Sequence, residues 1–344
     1  MSSSAQFLSP SEAARRLGIS TKALRLYEQR GLITPVRTTA GWRTYGPHEM
    51  ARAAEIVDLR ALGLNLAQIG RVLDGDRKSL EPALAAHQAT LEGQARQLGE
   101  TVEKVRTLRA DLAQGQAPDA GELARMVRSK GEINVAFDLP WPWGGERFEL
   151  SDIRPLNYIL GPLGCGKTVL SLKIAEVLPD AAYIGLERLD EDAAEARTRM
   201  ANDTALKSQV DQTVAWLVED GAVESPALIA LLVALESADA AVLVVDMVEQ
   251  GLDHATQVAL IAHLRHHARR AGPIMMMTRS CAILDLDAVG PDEAIILCPA
   301  NHSPPTLVAP YPGAPGYESV ATCLASPEVR ARTEGVISWR PERA

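Results

Sequence analysis

The run Gly161-Pro162-Leu163-Gly164-Cys165-Gly166-Lys167-Thr168 sets three glycines, a lysine and a hydroxyl side by side. An apolar strand predicted over 157–160 leads into it, and a helix is predicted after it. In that strand–loop–helix setting Gly-x-x-x-x-Gly-Lys-Thr is a phosphate cradle, the P-loop or Walker A pattern. Its glycines let backbone N–H groups turn inward, and the helix N-terminus adds its positive end. Lys167 is expected to reach the β- and γ-phosphates and Thr168 to hold magnesium, so ATP and Mg2+ are the cofactors expected. The nucleotide-binding set is Gly161, Pro162, Leu163, Gly164, Cys165, Gly166, Lys167, Thr168 and Val169. Cys165 admits two readings: a small loop residue bound only through its backbone, or a thiol made reactive by the helix N-terminus.

A second apolar run, "AAVLVVD", ends on Asp246. A buried strand would deliver that carboxylate to the same magnesium ion. Met247 follows, and a thioether cannot accept a proton from an attacking water. Glu249, two residues on, is the candidate substitute base if the turn brings it round; otherwise it is a solvated carboxylate. Arg279 closes the apolar run "IMMMT" and offers a fixed positive charge to a γ-phosphate. It could equally pair with Asp246 or Glu249.

Elements must hold these groups in place, and from about 131 the chain reads as alternating strands and helices, an α/β domain with a largely parallel sheet. The first eighty residues read differently. Ser9, Pro10 and Glu12 start a short helix with a capping box, Gly18 ends it, and Ser20 starts a second helix through Leu24 and Tyr27. "ITPVRTTAGWRTY" follows as a two-stranded wing, then two amphipathic helices broken at "LGLN". From 79 to 114 Leu84, Leu91, Leu98, Val105 and Leu112 repeat every seven residues, a coiled-coil seam.

"ARRLGIS", "LRLYEQRGL", "GWRTY" and "LRALGLNLAQIGRVL", in that order, resemble the DNA-binding domain of the MerR family of transcription regulators. The resemblance implies a winged helix-turn-helix over 5–76. It places Arg16, Thr21, Lys22, Arg25 and Tyr27 toward DNA from the helical pair, and Arg43 and Tyr45 from the wing. It further implies a homodimer through 79–114, reading a pseudo-palindromic promoter or operator in double-stranded DNA. A regulator so placed would also meet RNA polymerase. Metal-sensing members of that family carry cysteines beside the long helix; here the first cysteine is Cys165.

The stretch from about 153 to 297 resembles the ABC-type ATPases, including the soluble branch near the SMC and RecF proteins. Where those read "DEPE-x-GL(D/H)", this chain has Asp246-Met247-Val248-Glu249, then Gly251-Leu252-Asp253. It departs from them at Met247, at Arg279 in place of a histidine, and at Ser225, where paired glycines of a signature loop are missing. Trp141 and Trp143 stand where such ATPases often stack an adenine, or they pack a proline-stiffened edge.

Charge divides the same way. Residues 1–80 hold 12 Lys/Arg against 7 Asp/Glu, while the whole chain carries −9. A basic head on an acidic body suits contact between the head alone and an anionic polymer. The four cysteines are too far apart in sequence for a CxxC motif, and no long uncharged apolar run or signal-like start is present, so a cytoplasmic protein with no membrane span is expected. The expected architecture is therefore a winged helix-turn-helix at 5–76, a coiled-coil helix at 79–114, a linker at 115–130 and a P-loop domain at 131–344. Three functions fit it. They are an ATP-responsive regulator with weak or absent hydrolysis, a DNA-associated ATPase recruited by its head, and a small-molecule kinase-like module.

Overall fold

The computed structural model describes residues 7–78, 80–113, 134–151, 153–238 and 240–325. The expected linker at 115–130 lies outside them. The head begins with helices α1 (Pro10–Leu17) and α2 (Thr21–Gln29). Ser9 and Glu12 complete the capping box of α1, and Gly18 closes it in the left-handed conformation that glycine adopts freely. Strands β1 (Val36–Arg37) and β2 (Arg43–Thr44) pair antiparallel around a turn where Gly41 has φ 80°. Helices α3 (Pro47–Ala61) and α4 (Leu66–Leu73) complete the unit. Its core gathers Ala13, Leu24, Tyr27, Tyr45, Ile56 and Ile69, one or two side chains from each helical element and the wing. Helix α5 (Leu80–Ala113) then runs 34 residues, about 50 Å at 1.5 Å per residue.

The second unit is built on a six-stranded sheet in the order β10-β9-β5-β8-β7-β6. These strands are β5 (Leu156–Leu160), β6 (Ala181–Ile184), β7 (Val242–Val245), β8 (Ile274–Met277), β9 (Glu293–Leu297) and β10 (Thr306–Leu307). All pair parallel except the edge strand β10. Alternation of side chains across a strand splits the runs. Tyr158, Leu243, Val245 and Met276 enter one core; Ile159, Val242, Val244 and Met275 enter the other. Both faces are covered, so the strands read as unbroken apolar runs.

On the second face lie α6 (Lys167–Val177) and the ribbon of β3 (Val135–Asp138) with β4 (Arg147–Leu150). The other face is packed by α7 (Ala194–Asn202), α8 (Thr204–Asp220), α9 (Pro226–Ser237) and α10 (His254–Ala271), with α11 (Tyr317–Cys323) near the end of the described chain. Ser225 caps α9, accepting from the Leu228 N–H at 3.2 Å. Among the described residues no helix is long and apolar enough to cross a membrane.

Candidate functional site

Strand β5 runs up the middle of the sheet and delivers Gly161 to its end, with α6 starting six residues on at Lys167. The glycines are needed there. Gly161, Gly164 and Gly166 all have positive φ, and a Cβ on Gly161 would lie 2.2 Å from the Cys298 carbonyl oxygen. A Cβ on Gly166 would lie 2.6 Å from the ring of Trp143, which is buried against the loop. Trp143 Nε1 donates to Ser303 O at 3.2 Å, and a His302 ring nitrogen meets Gly164 O at the same distance. Trp143 is thus a packing residue of the loop, whereas Trp141 is exposed.

Lys167 is buried and folds back over its own loop, donating to Gly161 O at 2.9 Å and Pro162 O at 2.8 Å. The Cys165 sulfur lies 3.7 Å from the same ammonium. A cation buried within three glycines and a helix N-terminus fits an anionic ligand. Thr168 is exposed at the first turn of α6, Val169 is half-buried, and Leu163 is exposed at the crest of the loop.

Strand β8 lies between β5 and β7, so Arg279 emerges between the P-loop and Asp246. Asp246 is buried, and its Oδ2 accepts from the Tyr183 hydroxyl at 3.0 Å. Burial pushes its pKa up, against the Tyr183 hydrogen bond and the charges of Arg188 and Lys167. Met247 sits at φ 42°, a left-handed bend costly for a side-chain-bearing residue. Arg188 holds that bend. Its guanidinium donates to Gly185 O at 2.7 Å, Asp246 O at 3.0 Å and Met247 O at 2.9 Å. Burial lowers the Arg188 pKa, and the charges of Asp246, Glu187 and Glu249 oppose the drop.

One alternative for this turn needs correcting: Glu249 is not a solvated carboxylate. The bend at Met247 ends the strand, and Glu249 is buried with Oε1 accepting the backbone N–H of Arg279 at 2.9 Å. It ties the Asp246 turn to the tip of β8 through the Arg279 backbone.

In the head, Arg16, Lys22 and Arg25 are exposed, and Thr21 and Arg43 are partly exposed. Tyr27 and Tyr45, expected to face DNA, are buried. They are core residues, 5 % and 0 % exposed, packed in the same cluster as Leu24, Ile56 and Ile69. The Tyr45 hydroxyl is bonded to Glu28, which also pairs with Arg43 at 3.2 Å. Trp42, exposed at the tip of the wing, was not singled out in the sequence and is the larger aromatic surface there.

The head rests on the sheet domain. Asp220, last residue of α8, has a side chain 1 % exposed and accepts from Arg60 at 3.0 and 3.2 Å and from the Leu66 N–H at 2.8 Å. Its backbone carbonyl accepts from Arg30 at 3.0 Å. Gly221 follows at φ 110°, where a Cβ would collide with the Arg30 guanidinium. Arg60 also lies over the Trp216 ring, and Asn65 donates to Glu219 at 2.9 Å. Farther along, Lys22 donates to Cys281 O and Asp285 Oδ1, both at 3.3 Å. No sequence signal marks Asp220, Asp285, Tyr183 or Arg188, which have partners distant in the chain.

Residues 8–76 match the family model of the MerR HTH regulatory proteins. A probable heavy metal-dependent transcriptional regulator of Haemophilus influenzae is 40 % identical over 102 residues, 28 % of this chain and 80 % of that protein. The HTH-type transcriptional regulator HmrR of Sinorhizobium medicae is 32 % identical over 137 residues, 37 % of this chain and 93 % of that one. Over 52 % of this chain and 84 % of the other, the structure is similar to a putative metal-chelate type ABC transporter in an inward-facing conformation, with 13 % identity and a TM-score of 0.37. Four-fifths or more of each regulator is matched by the part of this chain that holds the capped helix pair, the wing and the two helices behind it, so the chain belongs to the MerR family of HTH regulatory proteins.

Proposed function

We propose that this protein is an ATP-responsive, DNA-binding transcription regulator. Its C-terminal domain, ABC-like in character, holds ATP and Mg2+ and turns the nucleotide over slowly or not at all. Gly161 to Val169 would hold the phosphates, Thr168 and Asp246 the magnesium, and Arg279 the γ-phosphate side. Bound ATP-Mg2+ would supply a concentrated negative charge at the ends of β5 and β8. Met247 offers no base, and Glu249 is committed to the Arg279 backbone, so occupancy rather than turnover is the signal.

The observation that carries the reading is Lys22. A residue placed toward DNA by the family resemblance is held by Cys281 O and Asp285, two and six residues after Arg279 on the same segment. A change at the strand tip would reach Lys22 through this contact and, through it, the helix expected to meet DNA. The head at 5–76 would pair through 79–114. Along α5, Leu84, Leu91, Val102 and Val105 are 43–50 % exposed, an apolar seam suited to a second copy. The heavy-metal dependence in the name of the Haemophilus relative is not carried over, since no cysteine precedes Cys165.

The test is DNA affinity with and without nucleotide. A duplex selected from a randomised library by the full-length protein is titrated with no nucleotide and with a non-hydrolysable ATP analogue plus Mg2+. The expected shift is about 5- to 150-fold, abolished by Lys167→Ala. Identical affinity and identical DNA distortion in both states would remove the coupling. Brisk DNA-stimulated hydrolysis would instead favour a DNA-associated ATPase.

A further inference from the structure

We propose that Cys165 and Cys298 form a reversible disulfide that closes the nucleotide cradle under peroxide stress. This rests on the nucleotide-binding reading of the P-loop and adds a second input to it.

The two thiols lie far apart in the chain and are brought together by the sheet. Cys298 follows β9, its N–H donating to Leu160 O at 2.8 Å, and so it stands beside the first residue of the P-loop. The place where Gly161 lacks a side chain is occupied by both residues: the Cys298 carbonyl at 2.2 Å and the Cys165 sulfur at 2.6 Å from a would-be Cβ. Both cysteines are buried, and the Cys165 sulfur and the Cys298 backbone meet at the same point beside Gly161. Lys167 Nζ is 3.7 Å from that same sulfur. The Cys298 hydrogen bond and, against burial, the Lys167 charge favour the thiolate at Cys165, while Cys298 is held as the thiol. One partner is thus the nucleophile and the other the resolving thiol. A cavity of about 400 Å3 is lined by Gly161, which touches both cysteines, and by Leu297 and Pro299, the chain neighbours of Cys298.

Hydrogen peroxide is the oxidant class required. The Cys165 thiolate attacks one peroxide oxygen, the O–O bond breaks and hydroxide leaves, giving a sulfenic acid. The Cys298 sulfur then attacks the sulfenyl sulfur. The S–S bond forms, the S–O bond breaks, and the oxygen leaves as water, the thiol proton accounted for. Two thiols lose two electrons and two protons, and peroxide becomes two waters. A dithiol reductant reverses the change. Drawing the two sulfurs to the ~2.0 Å of a disulfide moves the loop that carries Cys165. A binding constellation tolerates about 0.5 Å.

The full-length protein is treated with hydrogen peroxide, alkylated, digested and mapped by mass spectrometry. In parallel a fluorescent ATP analogue with Mg2+ is titrated before oxidation, after it, and after dithiothreitol. A Cys165–Cys298 cross-linked peptide and a fall in affinity of tenfold or more, reversed by dithiothreitol, are expected. Cys298→Ala is expected to bind the analogue as the reduced protein does, and to be insensitive to peroxide. Absence of the cross-linked peptide, or unchanged affinity in the cross-linked protein, overturns the inference. Absence of affinity in the reduced protein sinks the nucleotide reading instead, a result the peptide map does not produce.

Discussion

Replacing Asp220 by alanine tests how the head is fastened. Its carboxylate is 1 % exposed and receives both nitrogens of the Arg60 fork and the N–H of Leu66, the first residue of α4. A carboxylate at a helix N-terminus also meets the positive end of the helix dipole. Removing one member of such a buried pair costs about 3–5 kcal/mol. Arg60 is 19 % exposed, so water rescues its charge in part and the lower end of the range applies. The neighbouring Arg71–Glu219 pair is 44 % and 43 % exposed and serves as an internal control, worth about 0–1 kcal/mol. Denaturant unfolding of wild type, Asp220→Ala, Arg60→Ala and the double variant gives the coupling. Asp220→Ala is expected to cost about 3 kcal/mol, with Arg60→Ala adding little in its background. A loss under about 1 kcal/mol, additive with Arg60→Ala within about 0.5 kcal/mol, would refute the fastening.

Met247→Glu is expected to raise ATP turnover by about two powers of ten, read by phosphate release; an unchanged rate would place the limitation elsewhere. Arg188→Ala removes donors from three carbonyls at the Asp246 bend and is expected to destabilise the P-loop domain by about 3 kcal/mol, read by denaturant unfolding. Leu84→Glu with Leu91→Glu is expected to convert a dimer to a monomer in sedimentation, and an unchanged mass would remove α5 as the seam. The Glu12 carboxyl is held below its ordinary value, first by the Ser9 backbone N–H and then by its hydroxyl. A depressed carboxylate gives its stabilisation above the unfolded pKa of 4.5 and loses it as pH falls through the folded value. A Glu12 titration followed by NMR should therefore have a midpoint under 4.5, raised by Ser9→Ala.

Sequence carries what is local. The capping box at Ser9 and Glu12, the glycines of the P-loop and the strand ending on Asp246 each depend on residues a few positions apart, and each is found where the pattern puts it. Tyr27 and Tyr45 went the other way because an aromatic with a polar tip suits both a phosphate contact and a core. Which one wins depends on tertiary packing, which here buries both rings. Glu249 depended on the bend: with Met247 left-handed, the chain turns and the carboxylate is buried rather than solvated. The Asp220–Arg60 contact spans 160 residues and leaves no periodicity or motif in either segment.

The two attachments of the head differ in strength, and that difference decides which one a ligand can alter. Asp220 anchors it through a buried, bidentate, helix-capped carboxylate worth several kcal/mol. Lys22 is 51 % exposed and Asp285 16 %, so that pair contributes no more than about 1 kcal/mol and phosphate oxygens compete with it easily. Under the proposed function, nucleotide at the tip of β8 need not release the head. It need only bias the Lys22 contact, and a bias of about 1 kcal/mol already reaches the lower end of ordinary allosteric coupling. The head would then turn about a fixed point at Asp220. Asp285→Ala should therefore raise DNA affinity without nucleotide and shrink the nucleotide effect, while leaving the Arg60–Asp220 coupling energy as it was.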